Sequence, residues 1–134
     1  MNKKELAMEL HDKKYNCAQA VACAFAEEVG ADPEFIFRAC EGLGLGMGCM
    51  EGTCGAVSGA VLLAGLKNSD GNVDNPGTKA STYQLSKQIV SMFKERNRDT
   101  KCKVLKGIDT GAVLRSCPGC ITDAVEIVQE VLGL

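Results

Sequence analysis

Aromatic side chains are scarce in this 134-residue chain: Phe and Tyr together make up 4% of it, and Trp is absent. A core must then be filled by Ala, Val, Leu, Ile and Met. Histidine is scarcer still, with His11 alone on a charged N-terminal segment, where it reads as a surface residue. No CxxCH occurs, which excludes covalent c-type haem. There is no general-base histidine, no carboxylate pair and no phosphate loop, so the common hydrolytic arrangements are not expected. Basic residues are not in excess: 15 Lys and Arg stand against 17 Asp and Glu, for a net charge of −2. That balance argues against a nucleic-acid footprint. Long apolar runs are also missing. The longest, from Gly55 to Leu66, falls short of the roughly 30 Å hydrocarbon core of a bilayer, so no membrane insertion is expected. The opening MNKKELAMELHDKK is charged with no apolar stretch after it, which is not the pattern of a signal peptide. A cytoplasmic location follows as an expectation, and there structural disulfides are rare.

Cysteine and glycine are abundant instead, at 8 and 15 residues. They concentrate between Cys40 and Gly65, CEGLGLGMGCMEGTCGAVSGAVLLAG. Glycines at 42, 44, 46 and 48 permit backbone conformations that other residues resist. Gly44, Gly46 and Gly48 are the candidates to bring N–H groups close to a cofactor, with simple turn-making as the alternative. These glycines lack GxGxxG spacing and a preceding strand, so no nucleotide site is expected.

Helical periodicity recurs along the chain and period-2 alternation does not. Lys3 to Lys14 reads as an amphipathic helix, and Asn16 as the N-cap of a helix over Cys17 to Val29, closed by Gly30. Asp32-Pro33 is a strong helix start. Further helices are expected from about Cys54 to Leu66, from Thr78 or Ser81 to about Arg96, briefly at Cys102, and from Cys117 to the C-terminus. Asn68 to Gly77 reads as a polar loop. The expected fold is all-α, a single domain over residues 1–134, with five or six helices and a Gly-rich loop. The small-residue helix 54–66 suits either a homodimer interface or packing within the chain.

Four cysteines share one context: Cys17, Cys54, Cys102 and Cys117 each fall at or just before a helix N-terminus, where the dipole and free N–H groups favour negative sulfur. Four such thiolates could surround an iron–sulfur cluster or another metal, since soft sulfur ligands suit Fe–S, Zn and Cu(I). A structural zinc site uses the same ligands. Cys117-Pro118-Gly119-Cys120 opens a second reading, a metal-free thiol–disulfide site with Cys117 attacking and Cys120 or Cys54 resolving. It lacks the preceding strand of a thioredoxin-like motif. Cys23 lies about 120° around its helix from Cys17 and is not expected to share a site with it. About half of the eight cysteines are expected to be simply small buried hydrophobes.

Asn16-Cys17-Ala18-Gln19-Ala20-Val21, the loop with Gly46-Met47-Gly48, Cys54-Gly55-Ala56-Val57-Ser58-Gly59, Cys102 and Cys117-Pro118 together resemble the C_GCAxxG_C_C family. This is a group of small bacterial and archaeal proteins described as redox-active and named after their spaced cysteines. The resemblance implies redox activity and maps the family's four shared cysteines onto Cys17, Cys54, Cys102 and Cys117. It leaves Cys23, Cys40, Cys49 and Cys120 as extras of this chain, and its segment between Cys102 and Cys117 is short for the family. A related region is similar to part of the split-Soret cytochromes, where a non-haem iron–sulfur centre accompanies the haems. By that analogy the four cysteines would hold iron and sulfide without haem, and act with a redox partner protein.

Overall fold

The computed structural model describes residues 1–134 and contains seven helices and no sheet. They are α1 (Lys3–Asp12), α2 (Cys17–Cys23), α3 (Pro33–Cys40), α4 (Gly55–Asn68), α5 (Lys79–Asn97), α6 (Cys102–Leu105) and α7 (Cys117–Leu132). The all-α expectation holds, with one helix more than its upper count.

Local chemistry sets the helix starts. Asn2 and Asn16 each close a capping box, accepting from the N–H of Glu5 and Gln19 at 2.8 and 2.9 Å. Asp32 caps α3 ahead of Pro33, and Ser116 caps α7 ahead of Pro118. Such a cap contributes about 1 kcal/mol. Helix α2 ends at Cys23, six residues before the expected end at Val29. Beyond it the N–H groups of Phe25 and Ala26 reach back three residues, to Ala22 and Cys23. The backbone therefore tightens into successive turns that lead to Gly30, which is left-handed at φ 67°.

One core joins the helices. Helix α4 lies between α2, α5 and α7, while α1 packs on α7 and α2. With few aromatics, Phe25 and Phe93 are the largest fully buried side chains, and Ile36, Leu63, Ile89, Ile121 and Ile127 fill the rest. Each contributes roughly 1.5–3 kcal/mol by leaving water. The small residues of α4 face α2 rather than solvent. A β-carbon on Gly59 would lie 2.6 Å from the Ala18 carbonyl oxygen. The spacing of Gly55 and Gly59, one turn apart, thus lets α4 cross the first turn of α2 almost backbone to backbone.

The Gly-rich segment is a left-handed turn. Leu45, Gly46, Met47 and Gly48 take φ of 55°, 57°, 62° and 77° in succession, and the Gly48 N–H closes on the Gly44 carbonyl at 2.9 Å. For Leu45 and Met47 this conformation costs about 1–2 kcal/mol per residue. Both side chains are about half exposed. No helix of the protein is long and apolar enough to cross a membrane.

A five-thiol candidate site

The helix-start reading of the cysteines holds in three dimensions. Cys17, Cys102 and Cys117 are the first residues of α2, α6 and α7, and Cys54 is the N-cap of α4. All four line one cavity, together with Cys120, Leu45, Gly55, Leu105, Lys106 and Arg115.

Three local devices bring these segments together. The crossing of α4 on α2 sets Cys54 beside Cys17. A short antiparallel bridge, Thr53 with Lys101, sets Cys54 beside Cys102. In it the Cys54 N–H donates to the Thr100 carbonyl at 2.7 Å, and the Cys102 N–H to the Gly52 carbonyl at 3.0 Å. The third device is the segment after α6, which folds back so that the Leu114 N–H meets the Leu105 carbonyl at 2.9 Å and delivers Cys117.

Within the cavity the thiols form two pairs. At the mouth, half-buried Cys17 donates its S–H to the Cys117 sulfur. That hydrogen bond, with the charge and hydrogen bond of Lys106, pulls the Cys117 thiol down to about 5. Burial opposes the shift. Cys17, the donor, is correspondingly pushed up. Deeper in, Cys120 donates to Cys54, both almost fully buried. Cys54 is lowered to about 7, first by this bond and then by the N–H groups of Ala56 and Val57 at the start of α4. Cys120 is pushed up by the same bond and by burial. Cys102 has no thiol partner, and burial raises it. Two of the five thiols, Cys117 and Cys54, are therefore shifted toward thiolate and the other three away from it, a division that suits thiol exchange.

The charged lining is cationic only. Lys106 donates to the Cys117 sulfur. Arg115 is held in place by Asp123, with Nε to Oδ2 at 3.0 Å and Nη2 to Oδ1 at 3.2 Å. Buried Asp123 also accepts from Asn97 at 3.1 Å. His11, expected as a bystander, lies near enough to help acidify Cys117. Its Nδ1–H donates to the Tyr15 carbonyl at 3.1 Å.

The other sequence candidates separate. Cys23, Cys40 and Cys49 lie outside the cavity, while Cys120, set aside as an extra, is part of it. Gly46 packs on Cys102, Gly44 packs on the Asn16 side chain, and Gly48 faces open space. The backbone N–H groups that acidify a thiol in this site belong to Ala56 and Val57 rather than to these glycines.

The donor chemistry suits a soft metal, but the arrangement is that of paired thiols. Nowhere are three or more His, Cys, Asp or Glu side chains set to hold a metal ion. The open space among the sulfurs is about 20 Å³, the room of about one water molecule. A cluster of several iron and sulfide atoms would require the thiols to part.

No curated protein and no solved structure matches the chain. A family model does, over residues 15–131, under the description "Putative redox-active protein (C_GCAxxG_C_C)". The matched span holds every cysteine of the cavity and the helices that position them, and the chain belongs to this redox-active C_GCAxxG_C_C family.

Proposed function

We propose that the protein is a thiol–disulfide redox protein whose working pair is Cys117 and Cys17. The observation that carries this reading is that these two half-buried thiols meet at the mouth of the cavity with Lys106 beside them. The Cys117 thiolate attacks one sulfur of a disulfide on the redox partner. A mixed disulfide forms, and the partner's other sulfur leaves as a thiolate. That thiolate takes up the Cys17 proton. The Cys17 sulfur then attacks Cys117, releasing the partner's second thiolate and leaving a Cys17–Cys117 disulfide. Two electrons pass to the partner, and the reverse sequence returns them. Lys106 favours the thiolate form of Cys117 that begins the sequence. The resolving thiol thus differs from the sequence expectation, in which Cys120 or Cys54 had that role.

A second reading rests on the convergence of Cys17, Cys54, Cys102 and Cys117 on one cavity without a carboxylate. Those four would be the ligands of an iron–sulfur centre or of zinc, which when bound would supply electron transfer or structural support respectively. The paired thiols and the one-water space favour the first reading.

One preparation separates them. Protein purified without oxygen is assayed for iron, zinc and acid-labile sulfide, then oxidised and mapped for disulfides. Metal-free protein with a reversible Cys17–Cys117 disulfide supports thiol exchange. Stoichiometric iron and sulfide, lost in Cys54→Ser, would overturn it in favour of a cluster, and zinc alone would favour a structural site.

A further inference from the structure

The deep pair, Cys54 and Cys120, lines the same cavity as the outer one yet is shielded from outside reagents: Cys54 is 6% exposed and Cys120 3%. No bulky disulfide reaches either directly. Cys120 does share the first turn of α7 with Cys117. Residues three apart on a helix have neighbouring side chains on one face, so Cys117 belongs to the outer pair and Cys120 to the inner pair of a single CxxC turn.

We infer that the centre handles two disulfides rather than one, passing an oxidising equivalent from Cys17–Cys117 inward to Cys54–Cys120 through the Cys117-Pro118-Gly119-Cys120 turn. This rests on the thiol-exchange reading above. The oxidant is a disulfide, of the partner or of low molecular weight, which first oxidises the outer pair. Cys120 then attacks the Cys117 sulfur, forming a Cys117–Cys120 bond and releasing Cys17, which takes the Cys120 proton. Next the Cys54 thiolate attacks Cys120, forming Cys54–Cys120 and releasing Cys117 as thiolate. One disulfide has moved and no electrons have been gained or lost. The outer pair is again reduced and can meet a second oxidant, so the filled site has given up four electrons. Arg115, anchored on Asp123 and lying against Gly119, braces the turn on which both exchanges occur.

The test follows the disulfide in time. Fully reduced full-length protein is mixed, without oxygen, with one equivalent of oxidised glutathione. Samples are quenched in denaturant with an alkylating agent, so that buried thiols are labelled too, then digested and mapped by mass spectrometry. The expected course is Cys17–Cys117 first, then Cys54–Cys120 with Cys17 and Cys117 alkylatable once more. A second equivalent should leave both disulfides together, with Cys102 still free. In Cys120→Ser the disulfide should stay at Cys17–Cys117, and in Cys117→Ser the inner disulfide should be lost. The inference fails if the outer disulfide forms in the native protein and Cys54 and Cys120 stay alkylatable. It fails equally if the inner disulfide forms at an unchanged rate in Cys117→Ser. Absence of any outer disulfide would instead remove the thiol-exchange reading on which the relay stands. Should a variant not fold by circular dichroism, the native time course alone decides.

Discussion

Gly46 lies directly against Cys102: a β-carbon at position 46 would come within 2.5 Å of the Cys102 β-carbon and 2.9 Å of the Gly52 carbonyl oxygen. The left-handed turn therefore forms one wall behind a site thiol. Gly46→Ala should combine this collision with an alanine at φ 57°, for a loss of about 2–4 kcal/mol from overpacking and backbone strain together. Gly48→Ala, at φ 77° with nothing near it, should lose only the strain, about 1 kcal/mol. Urea unfolding of the two variants checks the difference, and equal losses would refute the packing role.

The α2–α4 crossing makes a similar contrast. Gly59→Ala would drive a methyl group into the Ala18 carbonyl and should lose about 1–3 kcal/mol. By shifting Cys54, the N-cap of α4, it should also slow passage of the disulfide to the inner pair. Gly65→Ala, on the same helix with open space around it, should be neutral or gain up to about 1 kcal/mol from helix propensity. Thermal melts and the time course described above read both effects.

The acidity of Cys117 is open to a direct pH measurement. A thiol reacts with iodoacetamide as thiolate, so its alkylation rate rises with pH through its pKa, here about 5. At pH 6 Cys117 should be the fastest thiol in the protein. Lys106→Met removes a stabilising cation and should move the profile up. Cys17→Ala removes the largest cause of the shift and should move it further. An unchanged profile in both variants would contradict the assigned geometry.

Stability should fall in alkaline solution for an identifiable reason. Burial pushes the Cys40 and Cys23 thiols up from 9.0 to about 11. Between those pH values the unfolded chain releases protons that the folded chain keeps. The unfolded state then binds fewer protons, so stability decreases as pH rises. Urea midpoints from pH 8 to 11 should show this slope, shallower in Cys23→Ala.

Asp123 is the buried acid on which Arg115, Asn97 and Arg96 converge, the last at 3.7 Å. Asp123→Ala should lose about 1–3 kcal/mol by removing the nearer of the two acceptors of the buried Asn97 amide, the other being the Phe93 carbonyl. Asp123→Asn, which keeps an acceptor but no charge, should lose less. Chemical denaturation distinguishes the two.

Much of this architecture was legible in the sequence. Capping residues and proline gave helix starts at Cys17 and Cys117 directly, and those starts located the site cysteines before any packing was known. The spacing of Gly55 and Gly59 also signalled close helix approach, although its partner, Ala18, is a long-range fact. The left-handed turn was half visible: glycine at 46 and 48 permits it, but nothing local demands that Leu45 and Met47 follow. Cys120 was a candidate, but its place beside Cys54 was missed because CxxC invites pairing within the motif. The i, i+3 spacing on one helical face was the available signal, and the partner, Cys54, comes from 66 positions away. His11 and the Asp123 cluster depend on how α1 and α5 pack against α7, which periodicity does not report.

The four helix starts that meet at the site are scattered along the chain, and that scatter ties chemistry to mechanical cohesion. A bond between Cys17 and Cys117 would span 100 positions, 117 minus 17, of a 134-residue chain. In the chain-entropy account a cross-link closing a loop of about 100 residues disfavours the unfolded state by about 4.7 kcal/mol. The oxidised molecule would thus be staple-bound and the reduced one held by its alanine-rich core alone. By the same thermodynamic cycle, part of the driving force for accepting the disulfide would come from the fold itself.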